Sequence, residues 1–185
     1  KDDISSENEK YSTGVISGSA NHGKITSDYN SGGIVGNISI EISIDLENDL
    51  NLSGIFSKSA KHLIYAVVSD CESYSDIEVK YNNAGGIVGN MDYGYVKSSK
   101  FAGSVLSDSG DYIGGIAGYS DGSISSCLSR VNLDGKNYIG GITGRGNNVS
   151  SSCAVTYVDS AGERAGSIVG SSSGDVTENY FLDSS

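Results

Sequence analysis

The sequence has no proline, no tryptophan, one methionine, two histidines and three cysteines in 185 residues. Each shortage excludes something. Without proline there is no collagen-like or polyproline segment, and every backbone N–H can donate to a strand ladder. Three scattered cysteines are too few for a disulfide scaffold or a zinc site. His22 and His62 are too far apart for a His-Glu-x-x-His peptidase motif, so both read as turn or surface residues. Cations are also scarce: 12 Lys and Arg face 23 Asp and Glu, a formal charge of −11. No nucleic-acid partner is expected, because phosphate binding needs a basic face. No apolar run approaches the roughly 18 residues of a spanning helix, so no direct membrane insertion is expected. The chain starts without Met or a signal-like segment and is expected to be a piece of a longer protein, monomeric as a fragment.

What the sequence does hold is Gly, Ser, Ile, Val and Tyr. Gly numbers 26 and Ser makes up about a fifth of the chain. A flexible linker would share the Gly and Ser but not the β-branched and aromatic residues. The Gly residues recur in phase. Gly32-Gly33-Ile34-Val35-Gly36 returns as Gly85-Gly86-Ile87-Val88-Gly89, as Gly114-Gly115-Ile116-Ala117-Gly118 and as Gly140-Gly141-Ile142-Thr143-Gly144, with a looser copy at Ala165–Gly170. The steps from Gly86 onward are 29, 26 and 25 residues, and the first, from Gly33, is 53. The double step predicts a degenerate copy in between, at Ser53-Gly54-Ile55-Phe56-Ser57.

A second pattern runs out of phase with the first. Ile or Val is followed three residues later by a small residue: Ile16/Ser19, Val68/Cys71, Val96/Ser99, Ile124/Cys127, Val149/Ser152 and Val176/Asn179. An apolar residue often follows six further on, as at Ile25, Ile77, Val105 and Leu133. Each period therefore contains three short β-branched stretches separated by Gly, Asn, Asp and Ser turns. The fold class expected is all-β: a parallel β-helix (β-solenoid) of about six coils of 25–29 residues, with three short strands each. Right-handed winding follows from the general preference of parallel crossovers. Ile34, Ile55, Ile87, Ile116, Ile142 and Ile168 should form one interior ladder, in a rod roughly 30 Å long. Residues 1–185 form one domain, with a divergent coil at about 38–70. There, Ile38 to Leu46 alternates strictly, as a longer strand would.

The run Tyr112-Ile113-Gly114-Gly115-Ile116-Ala117-Gly118-Tyr119, then Gly122-Ser123-Ile124-Ser125-Ser126-Cys127, resembles the bacterial GLUG repeat family. Asn21–Thr26 resembles the segment before its Gly pair, and Asn179-Tyr180-Phe181-Leu182 resembles the way such arrays close. The resemblance covers most of the chain, weakly over residues 38–70. It implies a secreted or cell-surface bacterial protein, and two settings in particular. One is adhesin-like; the other is the region outside the catalytic domain of immunoglobulin A-cleaving metalloproteases.

No residue is assigned as catalytic, cofactor-binding or metal-ligating, and no cofactor is expected. Cys71, Cys127 and Cys153 lie at or next to one repeat position, as either a ladder of buried small thiols or neighbours close enough to bond; they are expected to be free. Asp108, Asp111, Asp121 and Asp134 lie in loops, as solvated carboxylates or as part of a sugar-cleaving or calcium site. Arg130, Arg145 and Arg164 are the only arginines and are expected to line one side of the rod. Tyr112 and Tyr138 sit two residues ahead of the Gly pair, where they either brace the turn or present rigid surface to a host protein or glycan. The function expected is a non-catalytic extracellular module, a rigid spacer or binding surface. The alternatives are a substrate-holding domain of an immunoglobulin A-type metalloprotease, or a carbohydrate-active β-helix.

Overall fold

The computed structural model describes residues 12–39, 64–159 and 163–183. Every strand pair among them is parallel, and the strands form three sheets, here called A, B and C. The chain passes A, B and C in turn and then returns to A, so each circuit makes one coil of a β-solenoid. Coil 1 spans residues 12–38, coil 2 64–91, coil 3 95–120, coil 4 123–146 and coil 5 148–171, with closing strands over 176–183. Sheet C stacks five short strands at the Gly pairs, about four turns from first to last.

This is fewer than the six coils the spacing suggested, and the pairing gives the reason. Ser12–Ser17 pairs residue for residue with Ile64–Ser69, and Ser31-Gly32 with Ala84-Gly85. Coils 1 and 2 are therefore direct neighbours, and no coil built on Ile55 stands between them. Ser53–Ser57 and most of the alternating stretch lie outside the described residues. Of the divergent coil expected at 38–70, residues 40–63 lie outside the described residues; Ile38 closes a strand of coil 1 and Ile64 opens coil 2.

The apolar spacing maps onto four interior ladders. After the Gly pair run Ile34, Ile87, Ile116, Ile142 and Ile168, and the N–H of each of the first four donates to the carbonyl of the Ile one coil on. Sheet A contributes Ile16, Val68, Val96, Ile124, Val149 and Val176 in register. Sheet B contributes Ile25, Ile77, Val105, Leu133 and Val158. Sheet C contributes Ser31, Ala84, Ile113, Ile139 and Ala165. Residues of coils 2–4 in these ladders are buried almost completely, while Ile16 and Val176 at the two ends are partly exposed. Burial in the middle coils is the main favourable term, at about 25 cal/mol per Å² of apolar surface.

The small residue of the Ile-x-x-small pattern has a specific task. The residue before it takes the left-handed conformation in every layer: Gly18, Asp70, Ser98, Ser126, Ser151 and Glu178. That kink turns the chain from sheet A to sheet B and leaves the N–H groups of Cys71, Cys127 and Ser152 to side-chain acceptors. The small side chain satisfies them. Ser99 Oγ accepts from the Cys71 N–H and donates to the Lys97 carbonyl; Ser152 Oγ accepts from the Cys127 N–H and donates to the Ser150 carbonyl. Asn179 closes the series, accepting from the Ser152 N–H. Cys71 and Cys127 donate their thiols to the carbonyls of Ser69 and Ser125.

All three thiols are free, but they do not share one ladder. Cys127 stands over Ser152, and Cys153 pairs instead with Leu128 on the outer side of sheet B, where it is only half-buried. Cys153 is therefore expected to react first with a water-soluble disulfide reagent in the native protein. Cys71 and Cys127 should react only after unfolding. Release of three thiols at one rate without denaturant would show that the corner ladder opens in the native state.

Candidate functional site

A second set of left-handed residues marks the corner between sheets B and C: Asn30, Asn83, Tyr112 and Tyr138. Asn tolerates this conformation because its short side chain bonds locally. Asn83 Nδ2 donates to Asn30 Oδ1 at 2.8 Å. Tyrosine does not share that tolerance, yet Tyr112 and Tyr138 have φ of 63° and 56°. A bulky residue held there costs on the order of 1–3 kcal/mol and persists only where its surroundings impose it. Their rings compensate in part. They stack with centroids 4.7 Å apart, and Arg164 lies over the far face of Tyr138, 4.9 Å from its centroid, donating to the phenol oxygen at 3.0 Å.

A parallel ladder lies beside it at the start of sheet A: Asn37, Asn90, Tyr119, Arg145 and Ser171. Asn90 Nδ2 donates to Asn37 Oδ1, Arg145 covers the Tyr119 ring at 5.3 Å, and Tyr119 meets Tyr112 edge to face at 5.6 Å. Both ladders change character at the same level, from asparagine in coils 1 and 2 to tyrosine and arginine in coils 3 and 4, with Arg164 and Ser171 following in coil 5. The result is a partly exposed ridge of Tyr112, Tyr119, Tyr138, Arg145 and Arg164. Asp111 flanks it, accepting from Asn137 Nδ2, and Asp121 accepts from Asn147 Nδ2. Burial, then the hydrogen bond to Asp121, raises the Tyr119 phenol above its ordinary value. Tyr29 and Tyr81 stack at 4.7 Å further along, in coils 1 and 2.

The other candidates are dispersed. Asp108 lines an open groove of about 840 Å³ with Asp28, Glu78 and Lys80. Asp134 sits at the end of a sheet B strand, paired with Leu106. Of the four aspartates expected in loops only Asp108 lies in one; Asp111, Asp121 and Asp134 belong to strands, because the turns between strands are shorter than the spacing suggested, and the four divide between the ridge and the sheet B side. Among the described residues no group of three or more His, Cys, Asp and Glu is placed to hold a metal ion. His22 is exposed and stacks on Tyr74, and His62 lies outside the described residues. The arginines do not line one side: Arg145 and Arg164 are on the ridge, while Arg130 projects from the outer face of sheet B.

Tyr119 was not singled out from sequence, although a signal for it exists. Tyr119/Arg145 and Tyr138/Arg164 are each 26 residues apart, one coil, so stacking places each guanidinium on a ring. Comparison with family models, with curated proteins and with solved structures finds no match for the chain.

Proposed function

We propose that this segment is a non-catalytic repeat module of a secreted or cell-surface bacterial protein, a rigid spacer whose Tyr/Arg ridge is a binding surface for a host protein or glycan. The single observation behind this reading is the pair of tyrosines held in a strained conformation on a partly exposed corner. Interior packing does not require them there, since asparagine fills the same position in coils 1 and 2. Tyr and Arg also dominate interface hot spots, and stacking pre-orders both side chains so that little entropy remains to be lost on binding. The extracellular setting rests on the resemblance of the repeats to the GLUG family. That resemblance also supports the substrate-holding role in an immunoglobulin A-type metalloprotease. The groove with Asp28, Glu78 and Asp108 favours a second reading, a carbohydrate-active β-helix, which needs carboxylates on a groove.

Purified residues 1–185 should bind one or more members of a panel of immobilised host glycoproteins, including immunoglobulin A, and glycans. Combining Tyr119→Ala, Arg145→Ala and Arg164→Ala should weaken that binding by about tenfold or more. None of the panel should be cleaved. Binding that survives the triple substitution would remove the ridge from the reading. Turnover lost on Asp108→Asn would overturn the non-catalytic assignment.

A further inference from the structure

We propose that the outer face of sheet B in coils 3 to 5 is a binding site for a carboxylated pyranose sugar, with Arg130 holding the carboxylate and Tyr157 stacking on the ring. The site lies on a different face from the Tyr/Arg ridge and stands or falls independently of it.

Strand alternation fixes which residues face outward here: Ala102 and Ser104 in coil 3, Arg130 and Asn132 in coil 4, and Val155 and Tyr157 in coil 5. Register puts Ala102, Arg130 and Val155 in one row across the strands, and Ser104, Asn132 and Tyr157 in the next. Arg130 and Asn132 are two residues apart on one strand, about 6.6 Å. Tyr157 neighbours Asn132 and is diagonal to Arg130. Ala102 and Gly103 keep one side low, and the space between is a groove of about 400 Å³ lined by Ala102, Gly103, Arg130, Asn132, Val155 and Tyr157. That is within the usual range for small-ligand sites, about 300–1,000 Å³.

Arg130 is the one arginine with no ring, ion-pair or hydrogen-bond partner among the described residues. An exposed guanidinium unengaged on a chain with 23 carboxylates is available to a ligand. The local charge also differs from that of the whole chain. Residues 123–159 carry Arg130, Lys136 and Arg145 against only Asp134 and Asp159, whereas residues 64–122 carry three lysines against eight Asp and Glu. The weakly positive stretch is thus coil 4 and the first strand of coil 5, while residues 163–183 carry one Arg against four Asp and Glu, so the attraction of an anion is local to the neighbourhood of Arg130.

The chemistry narrows the ligand. A guanidinium fork matches a carboxylate. The Asn132 amide offers a donor and an acceptor two residues away, as adjacent sugar hydroxyls require. Tyr157, 50% exposed, presents an amphipathic ring for the apolar face of a pyranose. An extended peptide is disfavoured because the Arg130 strand is already paired on both sides, with residues 100–106 and 153–158, and no backbone edge is open for strand addition.

The test is calorimetric titration of residues 1–185 with a glucuronate-containing tetrasaccharide, its carboxyl-reduced form and a glutamate-containing hexapeptide. The acidic sugar should bind, and the reduced form should bind at least about tenfold more weakly, the equivalent of one charged hydrogen-bond pair. Arg130→Ala should cost at least about tenfold and Arg130→Lys less, because the ammonium keeps the charge but loses the fork. Tyr157→Ala should also weaken binding, while Lys97→Ala, exposed on sheet A and outside both surfaces, should not. Circular dichroism confirms folding of each variant, and Arg130 is exposed enough for its loss to leave the fold intact. Failure of the acidic sugar to bind would overturn the proposal. So would equal affinity for the acidic and reduced forms, full affinity in a folded Arg130→Ala, or tighter binding of the peptide.

Discussion

Gly115→Ala is expected to destabilise the protein by about 3 kcal/mol or more, enough to lower the urea midpoint sharply. A Cβ at this position would fall on Ser129 Oγ and on the carbonyl oxygen of Gly141. Ser129 could rotate away, since its hydroxyl is buried without a hydrogen-bond partner. The Gly141 carbonyl cannot, because it belongs to the backbone of the next coil. Relief therefore requires the coils to separate at their closest approach. Gly115 also lies mid-stack, where its own carbonyl occupies the corresponding place against Gly86, so the displacement is felt on both sides. Gly14→Ala is the control: its added methyl meets nothing within 4 Å, and its effect should stay within about 0.5 kcal/mol. Equal midpoints for the two variants would show that the Gly pair does not set the coil spacing.

The second large effect is alkaline. Burial pushes the Cys127 thiol up from its ordinary 9.0 to about 11, although hydrogen bonds to the backbone of Ser99 and Ser125 pull the other way. In the unfolded chain the thiol loses its proton first, so rising pH favours unfolding. The stabilisation is fully present below pH 9 and is lost as pH rises toward 11. Two pKa units correspond to roughly 2–3 kcal/mol. The unfolding free energy should fall by about that amount across the window, and Cys127→Ser, which keeps a small hydrogen-bonding side chain, should flatten the curve. The raised Tyr119 phenol adds a loss in the same direction above pH 10. An identical pH profile in wild type and Cys127→Ser would show that the site admits water.

The solenoid and most of its interior could be read from spacing because parallel stacking turns sequence periodicity directly into contact. Ile87, Ile116 and Ile142 are one coil apart in sequence and neighbours in space. The same rule fails wherever a step changes length. Cys127 and Cys153 are 26 residues apart, but the local step from Ile124 to Val149 is 25, so Ser152 takes the ladder place and Cys153 shifts to the outer face. The 53-residue step from Gly33 to Gly86 equals two periods in length, yet Ile34 and Ile87 are direct neighbours one coil apart. The lack of any Gly-Gly-Ile-x-Gly copy between them was the available warning. The ridge was half-visible: Tyr112 and Tyr138 stood out by their position before the Gly pair. Tyr119 and Arg145 each follow the closing Gly of a Gly-Gly-Ile-x-Gly copy, but that position holds Asn, Tyr, Arg or Ser in different coils, so no residue type repeats there to mark it. The strain at the tyrosines has no sequence signature at all, since it depends on the backbone angle the corner imposes.

The seam in sheet A, where one coil hands over to the next, has a consequence for how such a protein can be altered. In coils 3 to 5 the chain crosses it almost without interruption: Ala117–Ser125 and Thr143–Ser150 are single continuous strands. Between coils 1 and 2 the same crossing takes 25 residues, from Ser39 to Leu63, and the strands on either side still pair in full register. Length at this point is therefore decoupled from the geometry of the stack. The other crossings, Asp92–Gly94 among them, become natural ports for grafting a foreign loop, epitope or small domain. A row of such ports along one side of the rod would display its cargo at the coil spacing, about 4.8 Å per step.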